Sequence, residues 1–203
     1  MDWLRRNWPH STIFLAVYIT IMLVLFVRND FPLLLIWAQL PVYFVHEFEE
    51  YVLPGGFVKW FNNHVMDSKL DDWPLTPTAS LWINVPIIFT AFPICGILAT
   101  EFGLGWGLWM AYFSIVNAAG HVVFAILFRG YNPGVVVSLL LNIPIGAFAI
   151  WYLSSHHLVS TTANVVGLLI GVAIQAAVMF YGFVILKPRV RATGNLRGQP
   201  ADA

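Results

Sequence analysis

Residues 46–50 read His-Glu-Phe-Glu-Glu, three carboxylates and an imidazole directly behind an apolar run that has the length of a membrane span. Each ionised side chain at a bilayer centre costs about 2.5–3.5 kcal/mol on insertion scales, so such a cluster calls for a partner and a function. On a helix that continues through Tyr51, His46, Glu49 and Glu50 stand at i, i+3 and i+4 and share one face, while Glu47 points about 100° away. The bland alternative is a helix that ends near His46 and leaves its acids among headgroups. Acids in a last turn oppose the helix dipole, which weighs against it. An imidazole and carboxylates converging on one face are half of a metal site.

A later apolar stretch supplies a partner, because Asn117 and His121 are four residues apart and share a helix face. Both stretches run in the same direction. His46 lies seven residues before Leu53 and His121 seven before Phe128, which puts each about 10 Å from the end of its helix. The imidazoles can meet if these helices are neighbours, which the sequence leaves open; a lone His121 bonded to a carbonyl is the other reading. Two histidines and a carboxylate serve catalytic zinc and non-haem iron alike, so the expected cofactor is a divalent metal, zinc or iron. His46, Glu49 and His121 are the expected ligands, with Glu50 as fourth ligand or general base and Asn117 orienting substrate or supporting a ligand from behind. His64, which follows Asn62-Asn63, is a further candidate ligand if its loop folds back; a surface imidazole is the alternative.

The elements that must position these groups are membrane helices. The 203 residues are 59% hydrophobic and 10% charged, with a mean hydropathy of +0.76, against about 25% charged in an average soluble domain. The expected fold is an all-α, polytopic helical bundle with spans near 11–28, 32–53, 81–100, 105–128, 134–154 and 163–186. Arg5 and Arg6 before the first span resemble a signal sequence, but Arg28-Asn29-Asp30 offers no small-residue cleavage site, so an uncleaved anchor is expected. Asp30 with Pro32, Thr76-Pro77 and Asn132-Pro133 repeat a cap-then-proline start, Thr161 or Thr162 opens the last span, and Pro54-Gly55-Gly56 is a stop. Pro41 breaks the second span about one turn before His46, and Pro86, Pro93 and Pro144 do the same in their own spans. Between spans two and three, Phe57, Trp60, Phe61 and Val65 predict an interfacial helix that roofs one side.

Six spans place both termini together. Arg5, Arg6, Lys59, Lys69, Arg129, Lys187, Arg189, Arg191 and Arg197 then fall on that side, with only Arg28 opposite, so a cell-membrane location with both termini cytoplasmic is expected. A net charge of zero gives no reason to expect nucleic acid. The tail from Lys187 is expected to be basic, disordered and able to touch anionic lipid. Cys95 reads as a small core residue. Asn84, Asn142 and Gln175 are polar groups inside spans; Asn84 and Asn142 could line the same cavity, and His156-His157 form a loop pair on the far side. Nothing in the chain indicates an oligomeric state.

His46-x-x-Glu49-Glu50, Asn117-x-x-x-His121 and Tyr131-Asn132-Pro133-Gly134 resemble, in order and spacing, the three motifs of the HxxEE family of integral membrane proteins, over roughly residues 30–145. Tyr51–Phe57 resembles it too. The resemblance implies metal dependence without an established reaction, and it adds Tyr131 and Gly134 to the supporting residues alongside Asn84. Three functions are carried forward. The first is a metal-dependent membrane enzyme, hydrolytic with zinc or oxidative with iron, acting on a small amphipathic or lipid-like substrate at the depth of the site. The second is a metal or proton transporter, which the nearly ion-free outer halves of the spans oppose. The third is a structural ion cluster.

Overall fold

The computed structural model describes residues 2–196, which form eight helices and almost no extended chain. They are α1 (Asp2–Asn7), α2 (His10–Phe26), α3 (Phe31–Tyr51), α4 (Phe57–Trp60, continued by a π turn over Phe61–Val65), α5 (Pro77–Phe102), α6 (Leu104–Leu127), α7 (Val135–Ser155) and α8 (Thr161–Ala192). Five of them, α3 and α5 to α8, are long and apolar enough to cross a membrane. The first expected span is instead a 17-residue helix, about 26 Å long and a little short of the ~30 Å core. Phe14, Val17, Ile21 and Phe26 on α2, and Leu169, Phe180 and Val184 on α8, face outward. So much apolar surface belongs against lipid. This is a multi-pass membrane protein.

Caps and prolines set the helix geometry. Asp30 accepts from Leu33 N at 3.0 Å and Thr76 from Ala79 N at 3.1 Å, each beside its proline. The start of α8 departs from expectation, since Ser160 caps it through Ala163 N at 3.0 Å. Three π turns, Val85–Ala91, Ser138–Asn142 and Tyr181–Leu186, are each followed at once by a residue and then a proline: Phe92-Pro93, Ile143-Pro144 and Lys187-Pro188. In each the residue before proline donates five residues back, to Ile87, Ser138 and Gly182 respectively. The wider turn absorbs the carbonyl that proline cannot satisfy. In α3 the same deficit at Pro41 interrupts the helix at Ala38.

The core that supports the site is aromatic. Tyr43 stacks on Phe113 (5.5 Å) and meets Phe92 edge-on (5.5 Å), and Phe92 meets Trp109 (5.2 Å), which ties α3, α5 and α6 together. A second cluster joins Phe61, Val65, Met66 and Leu75 to Leu186 and Val190. Lys187 Nζ also donates to Val65 O at 3.0 Å. The segment from Phe57 to Leu75 therefore roofs one side of the bundle, as the amphipathic pattern predicted. Lys187–Ala192 is helical with Val190 buried, because this roof gives it an apolar surface to pack on; the expected disorder from Lys187 is corrected to that extent. Residues 197–203, with Arg197, lie outside the described residues.

Candidate metal centre

The depth match between spans two and four becomes direct contact. The His46 and His121 rings lie 4.8 Å apart, nearly perpendicular. Glu50 Oε1 is 3.1 Å from His121 Nε2 and 3.7 Å from His46 Nε2. One ligand atom from each of the three residues lies within 4.8 Å of the others, and all three side chains are buried. His46 Nε2 has no hydrogen-bond partner, a costly condition for a buried polar atom. A shared cation would relieve it. Two imidazoles and one carboxylate fit a divalent transition ion with coordination positions to spare.

The chain from Tyr131 to Gly134 closes over this cluster. Asn132 Nδ2 donates to the His121 carbonyl at 2.9 Å, which turns Asn132 Oδ1 toward His121 Nδ1 at 2.8 Å. That oxygen can only accept, so Nδ1 of His121 carries a proton, and a cation in place of the Nε2 proton that faces Glu50 would take the Nε2 lone pair. Gly134 has φ +102°, and a Cβ there would lie 2.7 Å from His121 Cε1, 2.9 Å from His46 Cε1 and 3.0 Å from Glu50 Cγ. Only a glycine lets the backbone come this close to all three groups. Asn132 was expected to cap α7; its side chain instead orients His121. Substituting Asn132→Ala is expected to weaken metal binding about 10–100-fold, read by competition with a chelating dye.

Glu49 is not brought to the cluster. Its carboxylate accepts from the Tyr131 hydroxyl at 2.9 Å, Val136 N at 3.1 Å and Val137 N at 2.6 Å. The two amides are free ends at the start of α7, where the helix dipole favours an anion. Burial first, and then the Glu49 carboxylate, raise the Tyr131 phenol well above its ordinary pKa, so Tyr131 stays a donor at neutral pH. The two glutamates of the motif thus divide the work: Glu50 faces the cluster and Glu49 clamps the loop that covers it. Each bond to the carboxylate contributes about 1.5–3 kcal/mol. Glu49→Gln is therefore expected to lower thermal stability measurably while leaving residual metal binding, checked by a melting curve alongside metal analysis.

His64 is also kept away. It is exposed, stacks on Trp60 (5.2 Å) and bonds through Nδ1 to Trp60 O at 3.0 Å, because its helix turns the apolar face inward and the imidazole outward. Asn117 and Asn84 both line a cavity that reaches Glu50 and His121. Asn117 Nδ2 donates to Gln175 Oε1 at 3.4 Å, and Asn84 Nδ2 to the Tyr51 hydroxyl at 3.0 Å. Asn142 does not line that cavity; it donates to Ser114 Oγ at 2.9 Å in the core. His156 and His157 are exposed, with His156 stacked on Tyr152 at 4.1 Å.

Sequence motifs alone passed over a buried polar layer behind the cluster. Ser138 Oγ lies 3.5 Å from His46 Nδ1; Gln39, Ser114 and Asn142 are fully buried. Gln39 and Ser114 stand seven residues before His46 and His121, and Ser138 four before the already noted Asn142, so a helical-wheel reading could have found these three. Glu47 points off the face shared by His46, Glu49 and Glu50. It is fully buried, and both of its carboxylate oxygens lack a hydrogen-bond partner.

Residues 37–152, more than half of the chain, match the family model described as protein of unknown function with HXXEE motif. The chain belongs to this family. No curated protein and no solved structure matches it. In this HXXEE protein the matched segment contains the whole cluster and the loop that covers it.

Proposed function

We propose that this HXXEE protein is a metal-dependent membrane enzyme that hydrolyses an amphipathic substrate, with His46, Glu50 and His121 holding the ion. The observation that carries the reading is the convergence of three buried donors, one of them the orphaned His46 nitrogen, with the other two, Glu50 and His121, lining a cavity. A bound divalent ion supplies a Lewis acid there, able to polarise a carbonyl or acidify a water. The chain does the rest. Glu50 is the one carboxylate among the described residues lining the cavity, so the Glu50 oxygen turned away from the histidines is placed to take a proton from water and pass it to the leaving group. Asn117 and Gln175 orient the group to be cleaved. Asn132 fixes the His121 tautomer, and the loop clamped by Glu49 excludes solvent from the far side.

The basic residues support an orientation with both termini in the cytoplasm and the site toward the inner leaflet. A transporter reading is disfavoured by Leu35, Ala111 and Ala149, an apolar layer that closes the bundle beyond Ser114 and Asn142. Elemental analysis of the purified protein tests the proposal. About one equivalent of zinc, with hydrolysis of neutral ester or amide amphiphiles in detergent, is the expected result. Activity that requires sealed vesicles and a gradient would overturn it, and stoichiometric iron would redirect the search to oxidation.

A further inference from the structure

The glycines facing α6 and α8 fall into two kinds. A Cβ on Gly171 would meet Phe113 N at 2.8 Å, and one on Gly167 would meet Tyr112 Cδ2 at 3.1 Å and Trp109 N at 3.3 Å. These two let the helices pack closely, the ordinary use of small residues in membranes. Gly120 differs. A Cβ there would find nothing nearer than Gln175 Nε2 at 3.9 Å, although it lies between Asn117 and His121 on the wall of the cavity. No close approach requires this glycine, and any larger side chain would stand in the cavity.

The cavity measures about 80 Å³, roughly half the ~150 Å³ of an engineered cavity that admits benzene. It therefore takes a polar group of a few atoms and leaves the rest of a larger molecule outside. No lysine or arginine is among the described residues that line it. Its polar groups other than the cluster are neutral, among them the Asn117–Gln175 pair, with Asn117 Oδ1 buried and unpartnered, the Asn84 amide, the Tyr51 hydroxyl and the buried Ser80. Such groups exchange hydrogen bonds with an uncharged carbonyl, amide or hydroxyl, and an ion at the cluster, partly balanced by Glu50, leaves about one positive charge against the roughly two negative charges of a phosphate monoester. The remaining wall is apolar, with Ile83 of α5, Phe124 of α6, and Val178 and Met179 of α8. Ile83, Val178 and Met179 are half-buried, and α5 and α8 share no extended packing, so helix packing leaves this side of the wall partly open.

We infer that Gly120 keeps open a pocket for the uncharged polar head of a neutral amphiphile, an ester or amide on an alkyl chain, which enters from the bilayer between α5 and α8. The inference rests on the metal-enzyme reading and names its substrate class. The head reaches Glu50 and His121, the Asn117–Gln175 pair holds its carbonyl or N–H, and the chain lies along Val178, Met179 and Ile83.

The test uses the full chain in nanodiscs with a photoreactive monoacylglycerol, and a lysophosphatidate of the same chain as its anionic counterpart. Cross-linked residues are mapped by mass spectrometry, and metal content is measured on the same samples. The monoacylglycerol should label Ile83, Phe124, Val178 or Met179. The lysophosphatidate should label them about tenfold less, since part of its phosphate charge would stay uncompensated in an apolar pocket. Gly120→Leu should cut the labelling about fivefold or more by filling the space with the metal content unchanged, and Gly120→Ala should cut it less. If Gly120→Leu does not fold, Gln175→Leu reports the same loss through the missing amide. Labelling that is equal for both lipids, confined to outward-facing residues, or indifferent to these substitutions would overturn the inference even with metal bound. Labelling sensitive to Gly120 in a metal-free protein would uphold the pocket and remove the metal reading instead.

Discussion

Protein carrying His46→Ala and His121→Ala together is expected to lose its metal, falling from about one equivalent to background, and to lose hydrolysis with it. Removing both imidazoles leaves Glu50 as the only donor of the three in place, and a single carboxylate in an apolar bundle does not retain a transition ion. The helices should survive the change. His46 and His121 contact one another, Glu50, Tyr43, Phe57 and Asn132, but the joint between α3, α5 and α6 rests on ring contacts of Tyr43, Phe92, Trp109 and Phe113 that the substitutions leave in place. A monodisperse chromatographic profile would verify this, and elemental mass spectrometry on that peak gives the result. Full metal retention in the folded variant would exclude the site.

The second large effect is expected from adding one methyl group. Gly134→Ala places a Cβ within 3.0 Å of all three residues of the cluster, at a backbone φ of +102°. Strain at that φ costs roughly 1–3 kcal/mol for a residue with a Cβ, and overpacking adds about 1–3 kcal/mol. Relief requires either the loop or the imidazoles to move. If the loop moves, Asn132 leaves His121 and Glu49 loses its amides; if the imidazoles move, the donor geometry is lost. Both routes lower metal affinity, by about 100-fold or more when two ligands are displaced. Calorimetric metal titration and a melting curve on the same sample separate the two costs. A variant with native affinity and stability would show that the loop does not bear on the site.

Much of the arrangement was legible in the chain. The helical periodicity of His46 and Glu50 set their shared face, and counting from the helix ends gave His46 and His121 a common depth. The caps at Asp30 and Thr76 and the amphipathic roof from Phe57 to Val65 follow from local chemistry that a one-dimensional reading captures, whereas the wide turns before Pro93, Pro144 and Pro188 appear only in the structure. Glu49, His64 and Asn132 were not legible in the same way. Glu49 shares the face of His46 but meets the free amides of α7 before it reaches the histidines. His64 follows the polar side of its short helix outward. Asn132 gives up a local cap because His121 offers both a ring nitrogen and a carbonyl within its reach.

The sequence by itself determined the membrane class, the helical elements and the residue types that can bind a metal, since these depend on composition and on contacts within one helix. Only the tertiary structure decided that α3 and α6 are neighbours, that Gly134 seats the loop against the cluster, and that Gly120 opens on a cavity while Gly167 and Gly171 close on a helix. Those outcomes depend on which surfaces meet across tens of residues. The physical reason is range: helix periodicity is set within a few residues along the chain, whereas the choice of packing partner depends on side-chain volumes contributed by several helices at once.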